Sequence, residues 1–144
     1  MKDLNLLLFK FKNFKNYNSE DFFVSESNLF AFNLVLNWTN WGKNILNIYG
    51  EKYSGKSHLS VIFQNKFGAN KIDAKNLNDN FITQFKTHQN LIIENFDENI
   101  DEKNMYSLIN VVDRDNKFIL INSTTPINQM NIKLKDLISR LNNC

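Results

Sequence analysis

Cysteine, proline and long apolar runs are scarce in this chain, and each scarcity excludes a class of protein. The single cysteine among the 144 residues is Cys144, so neither an internal disulfide nor a cysteine-based metal site can form. Pro126 is the single proline, so no proline-rich linker divides the chain. No stretch approaches the roughly 18 consecutive apolar residues of a membrane span. We therefore expect one soluble, cytoplasmic domain without membrane association.

Net charge is also small. Lysines and arginines number 17 against 15 aspartates and glutamates, which gives +2 at neutral pH. This balance is too mild to predict nucleic acid or an anionic membrane surface as a partner. A hydrophobic fraction of 42% is instead typical of a globular chain that can bury a core.

Apolar runs with strand character alternate with stretches of helical spacing. The strand candidates are residues 44–50, 69–74, 90–97 and 117–126. The helix candidates are residues 27–38, 55–67, 78–88, 101–114 and 134–141. This alternation predicts an α/β fold, with a mainly parallel sheet covered by helices on both faces.

The chain has only four glycines, and two of them begin and end the stretch GEKYSG, between a predicted strand and a predicted helix. With the next two residues this stretch fits the pattern G-x-x-x-x-G-K-[ST]. Its members are Gly50, Glu51, Lys52, Tyr53, Ser54, Gly55, Lys56 and Ser57. Backbone N–H groups of such a loop and the following helix N-terminus can hold a phosphate chain. The lysine would meet the outer phosphates of ATP or ADP, and the Ser57 hydroxyl would ligate Mg²⁺.

A second strand supplies an acidic end that such a site requires. Residues 90–97, NLIIENFD, place Glu94 where a carboxylate would hold Mg²⁺ and Asn95 where a water-activating carboxylate would lie. An amide cannot accept a proton, so we expect weak intrinsic ATP hydrolysis. The alternative is a buried strand that ends in solvated acids.

The strand at 117–126 ends in the polar stretch INSTTP. In the predicted sheet this end would lie beside the γ-phosphate, where Asn122 or Thr124 could sense it. An ordinary polar turn after a strand explains the same residues equally well.

Taken together, these pieces resemble the DnaA/Hda branch of the AAA+ ATPases over roughly residues 20–142. The stretch EDFFVSESNLFAF is similar to the family segment that packs near adenine, which would assign that contact to Phe23 and Val24. The phosphate-loop block continues with His58, as the family block does. LIIEN stands at the family's Mg²⁺ strand, INSTTP at its sensor strand, and LKDLISRL at its Ser-Arg block.

The resemblance implies a three-layer αβα P-loop core over residues 21–144, without the family's last strand and helical lid. Within the branch the chain is most similar to Hda-like proteins, which lack a DNA-binding domain, so no direct sequence-specific DNA binding is expected. Such proteins act on DnaA together with the sliding clamp and promote hydrolysis of DnaA-bound ATP. By resemblance, Arg140 is the arginine that reaches a neighbouring subunit's nucleotide, and homo-oligomers are a further expectation. Residues 1–20 would form an extended segment that includes a degenerate clamp-binding peptide, or else a packing segment.

Two other functions fit the same motifs. One is a DnaA-related initiator or loader that hydrolyses its own ATP, and the other is a non-catalytic adaptor gated by nucleotide. Fast intrinsic turnover would indicate the first, and failure to stimulate DnaA would favour the second.

Overall fold

The structure, a computed structural model, describes residues 24–142. Within this part of the chain four strands form one sheet, and every neighbouring pair is parallel. The strands are β1 (Ile45–Tyr49), β2 (Asn70–Asp73), β3 (Asn90–Phe96) and β4 (Phe118–Ser123). Their order is β1–β4–β3–β2, so β3 and β4 are central and β1 and β2 form the edges of the described sheet. Because all strands are parallel, their C-terminal ends meet along one side, here called the carboxyl edge.

Five α-helices in the described range precede, connect or follow these strands. They are α1 (Leu29–Leu36), α2 (Lys56–Phe67), α3 (Asp79–Phe85), α4 (Glu102–Arg114) and α5 (Lys135–Leu141). Two helices begin at side-chain caps: the Asn78 carboxamide oxygen accepts from the Phe81 N–H, and the Asp101 carboxylate accepts from the Asn104 N–H. Each such cap is worth about 1 kcal/mol, because it pairs a backbone donor that the helix itself cannot.

The helices form two layers, one on each face of the sheet. On β3, Leu91 and Ile93 join the core under α3, α4 and α5, whereas Ile92 between them joins the core under α1 and α2. On β4, Ile119 and Leu120 divide in the same way. Central strands that bury both faces therefore read as continuous apolar runs. Full burial of each such side chain contributes about 1.5–3 kcal/mol.

The predicted α/β fold with a parallel sheet between helical layers is confirmed. Several elements are shorter than predicted: the helix predicted over 78–88 ends at Phe85, and the strand predicted over 117–126 ends at Ser123. The helix predicted over 27–38 ends at Leu36, and a 3₁₀ turn, Trp38–Asn40, follows it. The Trp41 indole N–H donates to the Leu34 carbonyl at 2.5 Å, which turns the chain back towards β1. No helix in the described range is long and apolar enough to cross a membrane.

Candidate nucleotide-binding site

The glycine loop lies at the carboxyl edge, between the end of β1 and the first residue of α2. Its two glycines meet different requirements. A Cβ on Gly50 would lie 3.0 Å from the Ser54 Oγ, so a side chain there would require Ser54 to shift. Gly55, with φ of 98°, has the left-handed backbone that only glycine adopts without strain, and it starts α2 directly. The sequence therefore folds into a narrow loop that ends on a twelve-residue helix.

The Lys56 ammonium lies inside this loop. Its Nζ donates to the Gly50 carbonyl at 2.5 Å, to the Glu51 carbonyl at 2.7 Å and to the Ser54 Oγ at 3.2 Å. Partial burial lowers the pKa of Lys56 below its usual value, and the charge of Glu94 acts in the opposite direction. The loop thus surrounds one cation with backbone dipoles, and that cation is placed to meet an anion at the mouth of the loop.

A β-bulge at the end of β3 shapes the acidic side of the site. Ile93 pairs with Ile121 and Phe96 with Ser123, so Glu94 and Asn95 together oppose the single residue Asn122. Asn95 has a left-handed backbone conformation, with φ of 56°, which asparagine tolerates better than most residues. Asn95 is exposed between buried Glu94 and buried Phe96, and the extra residue brings Phe96 to the same face of the sheet as Ile93.

Asn122 links the phosphate-loop helix to the acid. Its Nδ2 donates to the Glu94 Oε2 at 3.0 Å, to the Ser60 Oγ in a short contact, and to the Lys56 carbonyl at 3.4 Å. Two of these partners can only accept, which fixes the orientation of the amide. Its Oδ1 is buried and lacks a hydrogen-bond partner among the described residues. A buried acceptor of this kind is normally satisfied by water or a ligand.

Glu94 is held from the β2 side as well. The Lys71 Nζ lies 3.2 Å from its Oε1, an ion-pair contact without hydrogen-bond geometry. The acid therefore lies between an amide donor on β4 and a cation on β2.

The donor set fits Mg²⁺ only in the presence of a nucleotide. Magnesium is usually bound through one or two carboxylates, with phosphates and waters completing the octahedron. Glu94 is a carboxylate at this edge, and Ser57 is an exposed hydroxyl in the first turn of α2. No group of three or more His, Cys, Asp or Glu side chains within residues 24–142 could hold a metal alone.

Asn95 also has a partner on β2. Its Nδ2 donates to the Asp73 Oδ2 at 2.8 Å, and this hydrogen bond is the main reason why the pKa of Asp73 lies below its usual value. The Asp73 Oδ1 accepts from the Lys75 N–H at 3.1 Å. Sequence reasoning missed Asp73, Lys71 and Ser60. For Asp73 a signal existed, since it ends a strand candidate at the same edge.

The remaining predicted site residues have diverse positions. The four loop residues between the two glycines are exposed: Glu51, Lys52, Tyr53 and Ser54. His58 is buried, Thr124 is exposed, and Val24 begins the described range, whereas Phe23 and residues 1–20 lie outside it. Of the two sensor candidates, only Asn122 contacts Glu94 in the structure.

Arg140 lies in the other helical layer from Lys56. Its guanidinium pairs with the Asp113 carboxylate in the last turn of α4 and lies 5.4 Å from the centre of the Tyr106 ring. Helix α5 packs with α3 and α4, whereas α2 packs with α1 across the sheet. Arg140 is therefore not part of the phosphate-loop site of its own chain.

Comparison with known proteins gives matches to solved structures. No protein-family model and no curated protein matches the chain. The replication initiator DnaA bound to AMPPCP and single-stranded DNA matches with a TM-score of 0.75 at 21% identity, over 90% of this chain and 49% of that one. Domain III of Thermotoga maritima DnaA matches with 0.74 at 21%, over 87% and 63%. Protein NMB1076 from Neisseria meningitidis matches with 0.53 at 23%, over 85% and 83%.

The sheet order, the two helical layers and these matches show that the chain has a three-layer α/β fold. More particularly, it has the fold of the AAA+ domain of the replication initiator DnaA. It spans about half the length of the DnaA chain bound to AMPPCP.

Proposed function

We propose that this protein binds ATP or ADP at the glycine loop. The observation that carries the proposal is the Lys56 ammonium, held by two backbone carbonyls at the mouth of a loop that opens onto the N-terminus of α2. A nucleotide's terminal phosphate offers this cation a stronger, charged acceptor than a carbonyl. Backbone amides of the loop and of the first turn of α2 would bind the remaining phosphate oxygens. The match to DnaA bound to AMPPCP supports the same ligand class.

Mg²⁺ would be held beside the phosphates by the Ser57 hydroxyl and the Glu94 carboxylate. When bound, the metal would neutralise phosphate charge. Asn122 keeps Glu94 oriented at this edge, since its amide donates to Glu94 and to Ser60 on α2. Displacement of Lys71 from Glu94 would accompany metal binding, because both cations compete for the same carboxylate.

The test is titration of labelled ADP and ATP against wild type and Lys56→Ala. Loss of one charged hydrogen-bond donor should weaken binding about 10–100-fold. Lys66→Ala is the matched control. It removes the same charge, but from the last turn of the same helix, away from the loop. Equal affinity of Lys56→Ala and the control would contradict the proposal.

We further propose that the protein is an Hda-like regulator of replication initiation, which acts on the ATP bound by DnaA and docks on the sliding clamp through its N-terminal segment. Two observations support this role over turnover of its own ATP. Asn95, at the place of the water-activating acid, carries an amide. Arg140 lies across the sheet from the phosphate loop of its own chain, which supports a role at another molecule's nucleotide.

Hydrolysis of DnaA-bound ATP, measured with and without this protein in the presence of clamp and DNA, tests the role. Stimulation is the expected result. Intrinsic turnover in the range of about 1–100 s⁻¹ would instead identify an initiator or loader that uses its own ATP. Nucleotide binding without stimulation would leave the adaptor as the function.

A further inference from the structure

Lys71 places a positive charge at the carboxylate that would hold Mg²⁺. It lies on β2 and pairs in register with Ile92, so its side chain belongs to the same face of the sheet as Glu94, two residues further along β3. The Lys71 Nζ lies 3.2 Å from the Glu94 Oε1. The Lys71 side chain is 34% exposed and that of Glu94 12%, so the pair is partly shielded from solvent. A lysine of the chain itself therefore neutralises this acid.

The two carboxylate oxygens of Glu94 differ in their partners. Oε2 accepts a hydrogen bond from the Asn122 Nδ2 at 3.0 Å. Oε1 is buried and accepts no hydrogen bond from the described residues, although the Lys71 ammonium lies beside it. A buried charged oxygen is costly unless a donor or a cation compensates it. Oε1 is consequently the oxygen at which one cation can replace another.

Glu94 is also linked to the phosphate loop. Asn122, which donates to its Oε2, also donates to the Ser60 Oγ and to the Lys56 carbonyl, both on α2. The negative charge of Glu94 partly offsets the lowering of the Lys56 pKa by burial, so the two groups lie within electrostatic range. Phosphates held by Lys56 would lie near the same carboxylate, and like charges repel. The cation that neutralises Glu94 should therefore affect how tightly a nucleotide binds.

We propose that Lys71 is a tethered competitor of Mg²⁺ at Glu94, so that the glycine loop binds metal-free nucleotide well and gains little affinity from Mg²⁺. This inference rests on the proposed function. A lysine ammonium is a compact cation on a flexible stem, and it can neutralise a carboxylate without a fixed coordination geometry. Mg²⁺ would have to displace it, because a dication and an ammonium at one oxygen repel each other. The ion pair thus opposes metal binding and supports nucleotide binding in the absence of metal.

The experiment measures ADP affinity of the 144-residue chain with Mg²⁺ and with a chelator. The ratio of the two affinities is called the magnesium gain. Lys71→Met keeps the aliphatic length and removes the charge. Its ADP affinity should fall in the chelator, because Glu94 then repels the phosphates, and should be kept or raised with Mg²⁺. Its magnesium gain should be about 5-fold larger than that of wild type, as expected for a partly exposed ion pair.

Three further variants control for charge and for the partner. Lys75→Met removes the same charge from an exposed residue just after β2, whose backbone N–H bonds Asp73, and its magnesium gain should equal that of wild type. Lys71→Arg keeps the charge and should stay close to wild type. In a Glu94→Gln background, Lys71→Met should no longer change the magnesium gain, because the carboxylate for which the cations compete is gone. Thermal unfolding verifies that each variant is folded, and Lys71→Gln replaces Lys71→Met if the latter does not fold.

Equal magnesium gains for wild type and a folded Lys71→Met would overturn the inference and leave nucleotide binding intact. A wild-type magnesium gain on the order of 100-fold would overturn it as well, since Lys71 would then not compete with the metal. So would an increase with Lys75→Met as large as with Lys71→Met, because general charge would explain both. Absence of ADP binding by wild type under both conditions would instead remove the proposed function and this inference with it.

Discussion

At the scale of single residues, Tyr53 combines an unfavourable backbone conformation with an exposed aromatic ring. It lies in the glycine loop with φ of 65°, and 96% of its surface is exposed. A residue with a Cβ pays roughly 1–2 kcal/mol in this conformation, and an exposed ring recovers none of that through packing. The strain therefore has no compensation within the described part of the chain.

Tyr53→Gly should accordingly raise the free energy of unfolding by up to about 1 kcal/mol, the relief of strain being partly offset by the greater freedom of glycine when unfolded. Denaturant unfolding measures this, and ADP titration of the same variant reports on the loop. Tyr49→Ala, which removes the exposed ring at the end of β1, is the control for loss of an aromatic surface. A fall in ADP affinity with Tyr53→Gly alone would mean that the ring binds the ligand.

At the scale of elements, Lys117 joins the end of α3 to the start of β4. It is buried, and its Nζ donates to the Lys86 carbonyl at 3.0 Å and to the His88 carbonyl at 2.5 Å, above the Phe85 ring. The carbonyls after a helix have no intrahelical partner, so this lysine satisfies two of them at once.

Lys117→Met keeps the aliphatic length and removes the donor. It should lower the free energy of unfolding by about 2 kcal/mol, because two carbonyls are left without a partner. Lys103→Met, on the exposed surface of α4, is the control. Urea unfolding measures both, and ADP affinity should not change, since Lys117 lies at the other end of the strands from the phosphate loop. Equal stability of the two variants would show that solvent replaces the lysine.

The sequence predicts those elements whose pattern lies within one stretch of chain. It does not predict features that depend on which strands pair and in which register. The glycine loop, the apolar run of β3 and the periodicity of α4 each lie within one stretch of chain, so composition and spacing predict them. The bulge at Glu94 and Asn95 depends on the register of β3 against β4. The contact between Asp73 and Asn95 depends on β2 lying beside β3, which no local pattern encodes.

At the scale of the whole molecule, Arg140 and Lys56 belong to opposite helical layers. Glu102, at the start of α4, accepts from the N–H groups of Lys133 and Leu134 at 2.9 and 2.8 Å, which fixes where α5 begins. The ion pair with Asp113 then holds Arg140 against the end of α4. Both ends of α5 are thus anchored on α4.

Arg140→Ala should leave ADP binding by this protein unchanged and abolish stimulation of ATP hydrolysis by DnaA. An arginine supplied to another molecule's site is worth about 10³–10⁵ in rate, and Arg140→Lys should rescue poorly because lysine lacks the planar two-point donor. The matched control is Arg114→Ala, because Arg114 pairs with its neighbour Asp115 and not with α5 in the described structure. Undiminished stimulation by Arg140→Ala would refute the role of this arginine, and loss with both variants would indicate unfolding of the α4 end.

The placement of these two residues also restricts the symmetry of any assembly that uses both. A contact in which one molecule's α5 side meets the next molecule's loop side is heterologous, and it cannot be closed by a twofold axis. Identical copies joined in this way would continue into a ring or an open helical array. If a copy of this protein instead presents its α5 side to the nucleotide site of a different protein, the array need not continue beyond that contact. Such a copy would then end an array of the other protein.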